Sequence, residues 1–329
     1  MISRLLLTLL LIIAGLTHWI NPQLFNPAIF FPYKYEINLL VGLLEIILGL
    51  GLWSKKYSDD CARLSALWFL ILIPIHIYVS IQKIAIFGMD HPFILWGRTL
   101  LQPGLYFWAL SLQKHGWLMS QRWSDIVFLH YRVNAKKLQA LVPFALDLYQ
   151  GHAIVSIVPF EMGRIRFPFL ISIPGLSRLF ELNLRTYIMV AGRPAVYFFT
   201  LDSNHLPAVL IARWFFSLPY RWVKLSFSST PDYLFESTHF KLKARISDKS
   251  IASEFDQWAT ERYALYTKRG KTTLRGDVSH SKWNLTSLVV LELKDEFSKL
   301  LGEDLPLEEL VSAAYCSQMD VKFRPFTKC

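Results

Sequence analysis

The chain is poor in the residues that organise covalent and metal chemistry. Its 329 residues include only three cysteines, Cys61, Cys316 and Cys329. They are far apart and odd in number, so they build neither a disulfide framework nor a CxxC site. Reduced thiols in a cytoplasmic compartment are the plain expectation. None of the nine histidines has HxxxH-type spacing, so no metal is expected. There is no Walker A loop, dinucleotide fingerprint or GxSxG elbow, so no cofactor is expected either. The formal net charge of +10 invites nucleic acid. The chain lacks a helix-turn-helix signature, an RNP-like aromatic motif and zinc-finger spacing, which argues against it. Charge is also scarce early on: the first 115 residues hold eight basic and five acidic side chains.

What the first part has instead is long apolar runs. Four of them, roughly Leu5–Ile20, Ile37–Trp53, Leu64–Ile81 and Phe93–Leu112, are separated by short polar breaks such as Trp53 to Arg63. Each approaches the ~20 apolar residues that a helix needs to cross the hydrocarbon layer. Arg4 ahead of the first run suggests a signal peptide, but Gly15-Leu16-Thr17-His18-Trp19 offers no small-x-small cleavage pattern. An uncleaved first helix and a four-span bundle follow. Four spans place both ends on one side. Arg4, Lys55, Lys56, Arg63, Lys114 and Arg122 flank that side, and Lys34, Lys83 and Arg98 the other. The positive-inside rule then puts both termini and everything after residue 115 in the cytoplasm of a cell whose inner membrane holds the bundle. The remaining residues carry 27 basic and 20 acidic groups, a net +7 that suits anionic lipid headgroups. The lipid bilayer is thus the expected partner, and the pattern names no protein partner.

Polar residues inside the spans are few. Glu45 lies mid-span, where a carboxylate is costly unless paired or protonated. His18, His76 and Tyr78 are the expected partners by depth. The group reads either as a proton or ligand site or as a structural clasp between helices. Gly42 and Gly49 permit close helix approach, and neighbouring helices can tolerate Pro74. The stretch from Ala14-Gly15-Leu16-Thr17-His18-Trp19 through Pro32 to Gly42-Leu43-Leu44-Glu45-Ile46-Ile47-Leu48-Gly49-Leu50, then Pro74-Ile75-His76-Ile77-Tyr78, resembles the DoxX-like family of four-helix membrane proteins. That resemblance implies topology and no agreed chemistry.

Beyond Lys114 the texture changes to that of a β-rich domain. Trp117 to Asp125 reads as a linker, and Ala135–Leu141 as a short helix ended by Pro143. Strands are expected at His152–Phe160, at Leu184–Val190 and Ala195–Leu201 around Gly192-Arg193-Pro194, and at Ser237–Ile246. In the last of these Phe240, Leu242, Ala244 and Ile246 point one way. Ala264–Thr267 and Thr272–Arg275 form a hairpin at Arg269-Gly270. Met319, Val321 and Phe323 alternate in a last strand, and helices are expected near Pro207–Phe216 and Leu291–Leu301. The fold class is therefore two-domain: an all-α transmembrane bundle over residues 1–115 and, over 116–329, an α+β module built on an antiparallel β-barrel.

Several stretches are more polar than packing requires. On a strand, Glu181, Asn183, Arg185 and Tyr187 share one face, and Leu182, Leu184 and Ile188 the other. The polar face is a solvated surface over an aliphatic core or, in a closed sheet, the lining of an interior. Arg213 lies in an apolar helix and needs a carboxylate, such as Glu181, Asp202 or Glu261. Tyr220, Glu261-Arg262-Tyr263 and His280-x-x-Trp283 add polar and aromatic groups. A lone histidine is usually structural, yet His280 could serve as a general acid or base, as could Glu181.

The segment from about Trp123 to Phe323 resembles the YqjF-like family (DUF2071) of bacterial proteins. The resemblance rests on His130-Tyr131-Arg132-Val133, the Glu181–Tyr187 stretch, Val196-Tyr197-Phe198-Phe199-Thr200-Leu201-Asp202, Ala212-Arg213, Leu218-Pro219-Tyr220, Glu261-Arg262-Tyr263 and His280-x-x-Trp283. It implies kinship with the acetoacetate decarboxylase-like superfamily, a cone-shaped antiparallel barrel with an internal pocket, and hence a lining role for the polar face. That superfamily's decarboxylase forms its imine through a lysine in Pro-Lys-Lys. The comparable residues here are Pro219-Tyr220-Arg221, which cannot do so, and Lys224 is offset. The expectation is a membrane-anchored barrel that binds a small, anionic organic ligand through Glu181, Asn183, Arg185, Tyr187, Asp202, Arg213, Tyr220, Glu261, Arg262, His280 and Trp283. The alternatives are an enzyme without a Schiff base acting on a small carboxylated or keto compound, and an interaction protein scaffolded by the bundle.

Overall fold

The early apolar runs fold as four helices: α1 (Ile2–Ile20), α2 (Lys34–Gly51), α3 (Ser58–Ile81) and α4 (Pro92–Ser111). The computed structural model describes residues 2–329 apart from 30, 87, 173–177, 252 and 303–308. The later helices start before their apolar runs because polar residues enter their first turns. Asp59 and Asp60 lie at the N-terminus of α3, where carboxylates suit the helix dipole. α1 and α3 are long and apolar enough to cross a membrane. The expected close approach is seen between α1 and α2. A Cβ on Gly42 would lie 2.6 Å from the Gly15 carbonyl oxygen, so only glycine fits there.

This unit buries several polar side chains among apolar ones and leaves large apolar side chains exposed on its outside. Asn38, Glu45, Thr99 and Gln102 are buried, while Leu9, Ile13, Leu40, Ile47, Leu100 and Leu101 are exposed. Trp68 Nε1 donates to Glu45 Oε1 at 3.0 Å, and His18 Nε2 lies 3.7 Å from Oε2. The other ring nitrogen of His18 bonds Asn38, whose Nδ2 donates to the Pro22 carbonyl at 3.0 Å. Of the expected partners of Glu45, His18 is in place; Tyr78 lies on an exposed side of α3. Trp68 and Asn38 complete the cluster and were not expected.

The chain divides into two units after Leu118. The second contains β1 (Met119–Val133), α5 (Ala135–Leu141), β2 (Ala145–Leu146), β3 (Ala153–Arg166), β4 (Leu179–Val190), β5 (Arg193–Ser203), α6 (Leu206–Phe216), β6 (Tyr220–Trp222), β7 (Ser226–Ser228), β8 (Tyr233–Glu236) and β9 (Phe240–Ile251). It continues with α7 (Glu254–Thr260), β10 (Ala264–Arg269), β11 (Thr272–Ser279), β12 (Leu285–Asp295), β13 (Glu309–Phe323) and β14 (Thr327–Lys328). The strands form one sheet in the order β14-β11-β10-β5-β4-β3-β1-β13-β12-β9-β8-β7. β11 also pairs with β13, through Val278 with Phe323 and Ser279 with Lys322. The hydrogen-bonded path through β11, β10, β5, β4, β3, β1 and β13 thus returns to its start. Pairing is mixed rather than purely antiparallel: β5 runs parallel to both β10 and β6.

Local chemistry explains the boundaries. Asn134 caps α5 by accepting from Lys137 N at 3.0 Å, and Ser253 caps α7 by accepting from Asp256 N at 3.0 Å. β4 and β5 turn on Ala191 and Gly192, both at positive φ, which is the two-residue hairpin geometry that matches strand twist. The turn is one residue earlier than the Gly-Arg-Pro signal suggested, and Arg193 and Pro194 belong to β5. The expected linker is too long, because β1 already begins at Met119. The expected helix at Leu291–Leu301 is instead the end of β12, paired with β9 as far as Asp295, and a single 3-10 turn at Ser298–Leu301. Cross-strand pairing has overridden a helix-like spacing of leucines.

Both faces of the central strands are covered. Leu182, Leu184 and Ile188 of β4 join Val127, Leu129, Val155, Ile157, Phe235 and Leu242 in the largest apolar cluster. The opposite face carries two smaller clusters, one around Phe128, Phe160 and Cys316, the other around Tyr187, Val196, Phe255 and Leu265.

Candidate functional site

Strand β4 positions the site. Its alternation is as the sequence implies, but neither face is solvated: every residue from Glu181 to Ile188 is buried. Register then decides the neighbours. Glu181 stands opposite Phe160, Asn183 opposite Val158 and Arg185 opposite Ser156 of β3, and Ser156 is opposite His130 of β1. Opposed residues share a face. On the other side Glu181, Asn183 and Tyr187 stand opposite Ser203, Leu201 and Val196 of β5. The parallel pairing of Leu201 with Tyr220 brings that tyrosine onto the same face.

Glu181 is the buried acid of this face. Tyr220 donates its hydroxyl to Oε2 at 2.5 Å, and Asn183 Nδ2 lies 3.4 Å from Oε1. Burial pushes the carboxyl up to about 7. The Tyr220 and Asn183 hydrogen bonds and the Arg185 charge pull the other way, and Asp202 adds to the rise. Tyr220 is itself held well above its usual value by burial and by the neighbouring carboxylate.

Arg185 is only 9% exposed, yet among the described residues no ion pair or hydrogen bond meets its guanidinium. It lies over the rings of Phe128, at 5.3 Å, and Tyr187, at 5.9 Å. Its Nε, the Asn183 Oδ1 and the His130 Nε2 are all buried without a hydrogen-bond partner among the described residues. His130 Nδ1 lies 2.6 Å from Ser156 Oγ and 3.2 Å from the Tyr187 hydroxyl, and Ser156 and Tyr187 are themselves 2.7 Å apart. Burial, then the Arg185 charge, drives the imidazole down to about 3, so it is neutral at ordinary pH. The face therefore presents a cation, an amide, a neutral imidazole and a carboxylic group, several with spare hydrogen-bonding capacity. That set can hold a small carboxylate and exchange a proton with it.

The remaining expected residues are distributed elsewhere. Arg262 touches the Tyr187 ring at 5.1 Å, but Asp147 pairs with it and the Trp258 carbonyl accepts from its Nε at 2.7 Å. Asp202 lies on the opposite face and takes two bonds of 2.7 Å from Arg221. Arg213 is exposed on α6 and forms no ion pair among the described residues, so the expected pairing with Glu181, Asp202 or Glu261 is not made. Its helix is only half-covered, and the charge reaches water. Glu261 accepts from Tyr263, and His280 stacks on Tyr263 at 4.6 Å and packs near Trp283 at 5.1 Å. Trp283 meets Phe128 edge-on at 5.0 Å, so this group borders the Arg185 face through two rings without joining it. Sequence reasoning missed His130, Ser156 and Phe128 as members, and Asp147 as the partner of Arg262. The signal for His130 was its two-residue spacing from Phe128. Ser156 sits inside an apolar run and gave none. Among the described residues no group of histidine, cysteine or acidic side chains is placed to hold a metal.

Comparison with known proteins places this site in a family. The DUF2071 model, described as an uncharacterized conserved protein, matches residues 120–320, more than half of the chain. The uncharacterized protein YqjF of Bacillus subtilis (strain 168) is 36% identical over 229 residues, covering 64% of this chain and 93% of the relative. Residues 7–113 match a different model, the domain of unknown function DUF8561, rather than a DoxX-like one. Among solved structures, acetoacetate decarboxylase from Legionella pneumophila aligns with a TM-score of 0.49 at 10% identity over 64% of this chain and 86% of its own. The enduracididine biosynthesis enzyme MppR, in its complex with pyruvate, aligns with a TM-score of 0.47 at 12% identity over 66% and 92%. From β1 to β13, where Arg185 and Glu181 are held, this chain belongs to the YqjF-like DUF2071 family.

Proposed function

We propose that the C-terminal unit binds a small organic anion, with Arg185 as its counter-charge, and that the N-terminal helices anchor the protein in a membrane. The observation that carries the first part is the buried guanidinium of Arg185, which forms no ion pair among the described residues although its charge is felt by Glu181. A buried charge is normally paired, and the cost of leaving it unpaired is tolerated where a ligand completes the pair. The returning strand path supports reading the sheet as a closed barrel whose lining includes this face. Asn183 and a protonated Glu181 supply the donors for the second oxygen of a carboxylate. The many apolar side chains exposed on the outside of the four helices support the anchor, and the flanking basic residues favour a cytoplasmic C-terminal unit.

A second reading follows from Glu181. A carboxyl poised near neutrality beside a cation is suited to give or take a proton on the bound molecule. An imine route is disfavoured, because Tyr220 occupies the lysine position and donates to Glu181, and Lys224 is exposed. Titration calorimetry of the full chain in nanodiscs with short carboxylates and oxo acids tests both. Binding that is lost in Arg185→Gln and kept in Arg213→Gln is expected, and turnover lost in Glu181→Gln would add the enzyme. Equal affinity in Arg185→Gln and wild type would remove the proposal.

A further inference from the structure

α6 turns the usual pattern of a surface helix inside out. Its packed side is Val209, buried, with Ala208, Ala212 and Phe216 half-buried. At 100° per residue, Leu206, Pro207, Leu210, Ile211, Trp214 and Phe215 sweep the other half of the circumference, with Arg213 at one edge. All six are exposed, Trp214 by 79% and Phe215 by 67%. Trp222 of β6, the strand packed beside α6, is exposed by 64%. The helix is firmly held in this attitude. His205 Nδ1 accepts from Ala208 N at 3.2 Å at its start, and at its end Arg269 donates to the Trp214 and Phe215 carbonyls at 3.2 and 2.6 Å. A patch of this kind on a rigid helix marks a surface that something covers.

The charge around it says what. From Ser203 to Pro231 there is no acidic residue, while Arg213 and Lys224 are exposed in that stretch and Arg221 is taken up by Asp202. A second copy of the same face would bring like charges together. An anionic lipid surface is complementary to it, and tryptophan, phenylalanine and leucine flanked by basic residues are the make-up of a helix lying at the lipid–water boundary. The geometry points to docking of the α6 face on anionic phospholipid, with Trp214 and Phe215 seated among the headgroups and Arg213 beside their phosphates. The inference rests on the membrane reading of the N-terminal helices.

Spin labels in the full chain test the docking. Cysteine is introduced singly as Phe215→Cys on α6, Leu9→Cys on the exposed side of α1 and Lys249→Cys at an exposed site of β9, with Cys61 and Cys329 replaced by serine. The protein is reconstituted in phosphatidylglycerol vesicles, and collision with lipid-soluble oxygen is compared with collision with a water-soluble nickel chelate. The label at 215 should favour oxygen, as at 9 and unlike at 249. In the docked state Arg213→Gln should weaken the preference for anionic over zwitterionic vesicles by about fivefold. A label at 215 that follows 249 while the label at 9 favours oxygen overturns the docking and leaves the anchor standing. Labels at 9 and 215 that both favour the chelate overturn the anchor and the docking together. A label at 215 shielded from both reagents, with spin–spin broadening, assigns the face to a second copy and overturns the lipid assignment.

Discussion

Replacing Arg185 with methionine should stabilise the ligand-free protein while abolishing anion binding. An unpaired guanidinium buried between Phe128 and Tyr187 loses most of its hydration. In comparable sites, exchanging buried ionic groups for apolar ones of similar size is neutral or stabilising by about 1–4 kcal/mol. The two ring contacts, at 5.3 and 5.9 Å, return part of that cost, about 0.5–1 kcal/mol each. Methionine keeps the volume and gains sulfur–aromatic contacts with the same rings. The net expectation is a gain of about 1–3 kcal/mol. For a unit of this size about 2–4 °C accompanies each kcal/mol, so its melting temperature should rise by roughly 4–8 °C for a gain of 2 kcal/mol. Thermal scans of the full chain with and without a bound carboxylate read both effects. Wild type should gain thermal stability on adding the anion, and Arg185→Met should not. A melting temperature that falls in Arg185→Met would mean that the charge is already compensated, and the argument from the missing partner would fail.

Other predictions are independent of ligand identity. Tyr220→Phe removes the 2.5 Å hydrogen bond to Glu181 and should raise the carboxyl's pKa further, at a cost of about 1–3 kcal/mol in stability, read by infrared titration and denaturant unfolding. His130 and Glu181 oppose each other in pH. Between about 3 and 6.5 the folded imidazole refuses a proton that the unfolded one takes, so stability falls as pH drops; between 4.5 and about 7 the folded carboxyl keeps a proton that the unfolded one loses, so stability falls as pH rises. Their contributions nearly cancel from 4.5 to 6.5, and Glu181→Gln should convert that level stretch into a climb with rising pH in unfolding free energies. Gly42→Ala pushes a methyl to 2.6 Å from the Gly15 carbonyl oxygen and should cost about 1–3 kcal/mol in the helical unit, measured by unfolding in mixed detergent.

Much of this architecture is legible in the chain, for reasons that differ by element. The four apolar runs announce their helices because stretches of about 16–20 residues with so few polar breaks leave little choice. Glu181 to Ile188 announces a strand because its period is two, and the hairpins at Gly192 and Gly270 are marked by residues that tolerate positive φ. What stays hidden depends on pairing between distant segments. Tyr220 and Arg221 are adjacent, yet alternation sends them to opposite faces, one to Glu181 and the other to Asp202. Only the parallel register of β5 with β6 reveals this. Arg213 misled because an apolar helix suggested burial, whereas half of α6 faces outward. His130 and Ser156 come together across β1 and β3; the spacing of His130 from Phe128 places it on that face, but nothing local in β3 foretells Ser156.

The most direct test is the structure of the full chain soaked with a short bromo-substituted carboxylate, located by the anomalous signal of bromine. The account predicts a bromine peak on the face of β4, with the carboxylate on Arg185 and within hydrogen-bonding reach of Asn183 or Glu181. A side chain packed solidly over Arg185, with bromine found only at the molecular surface, would contradict it.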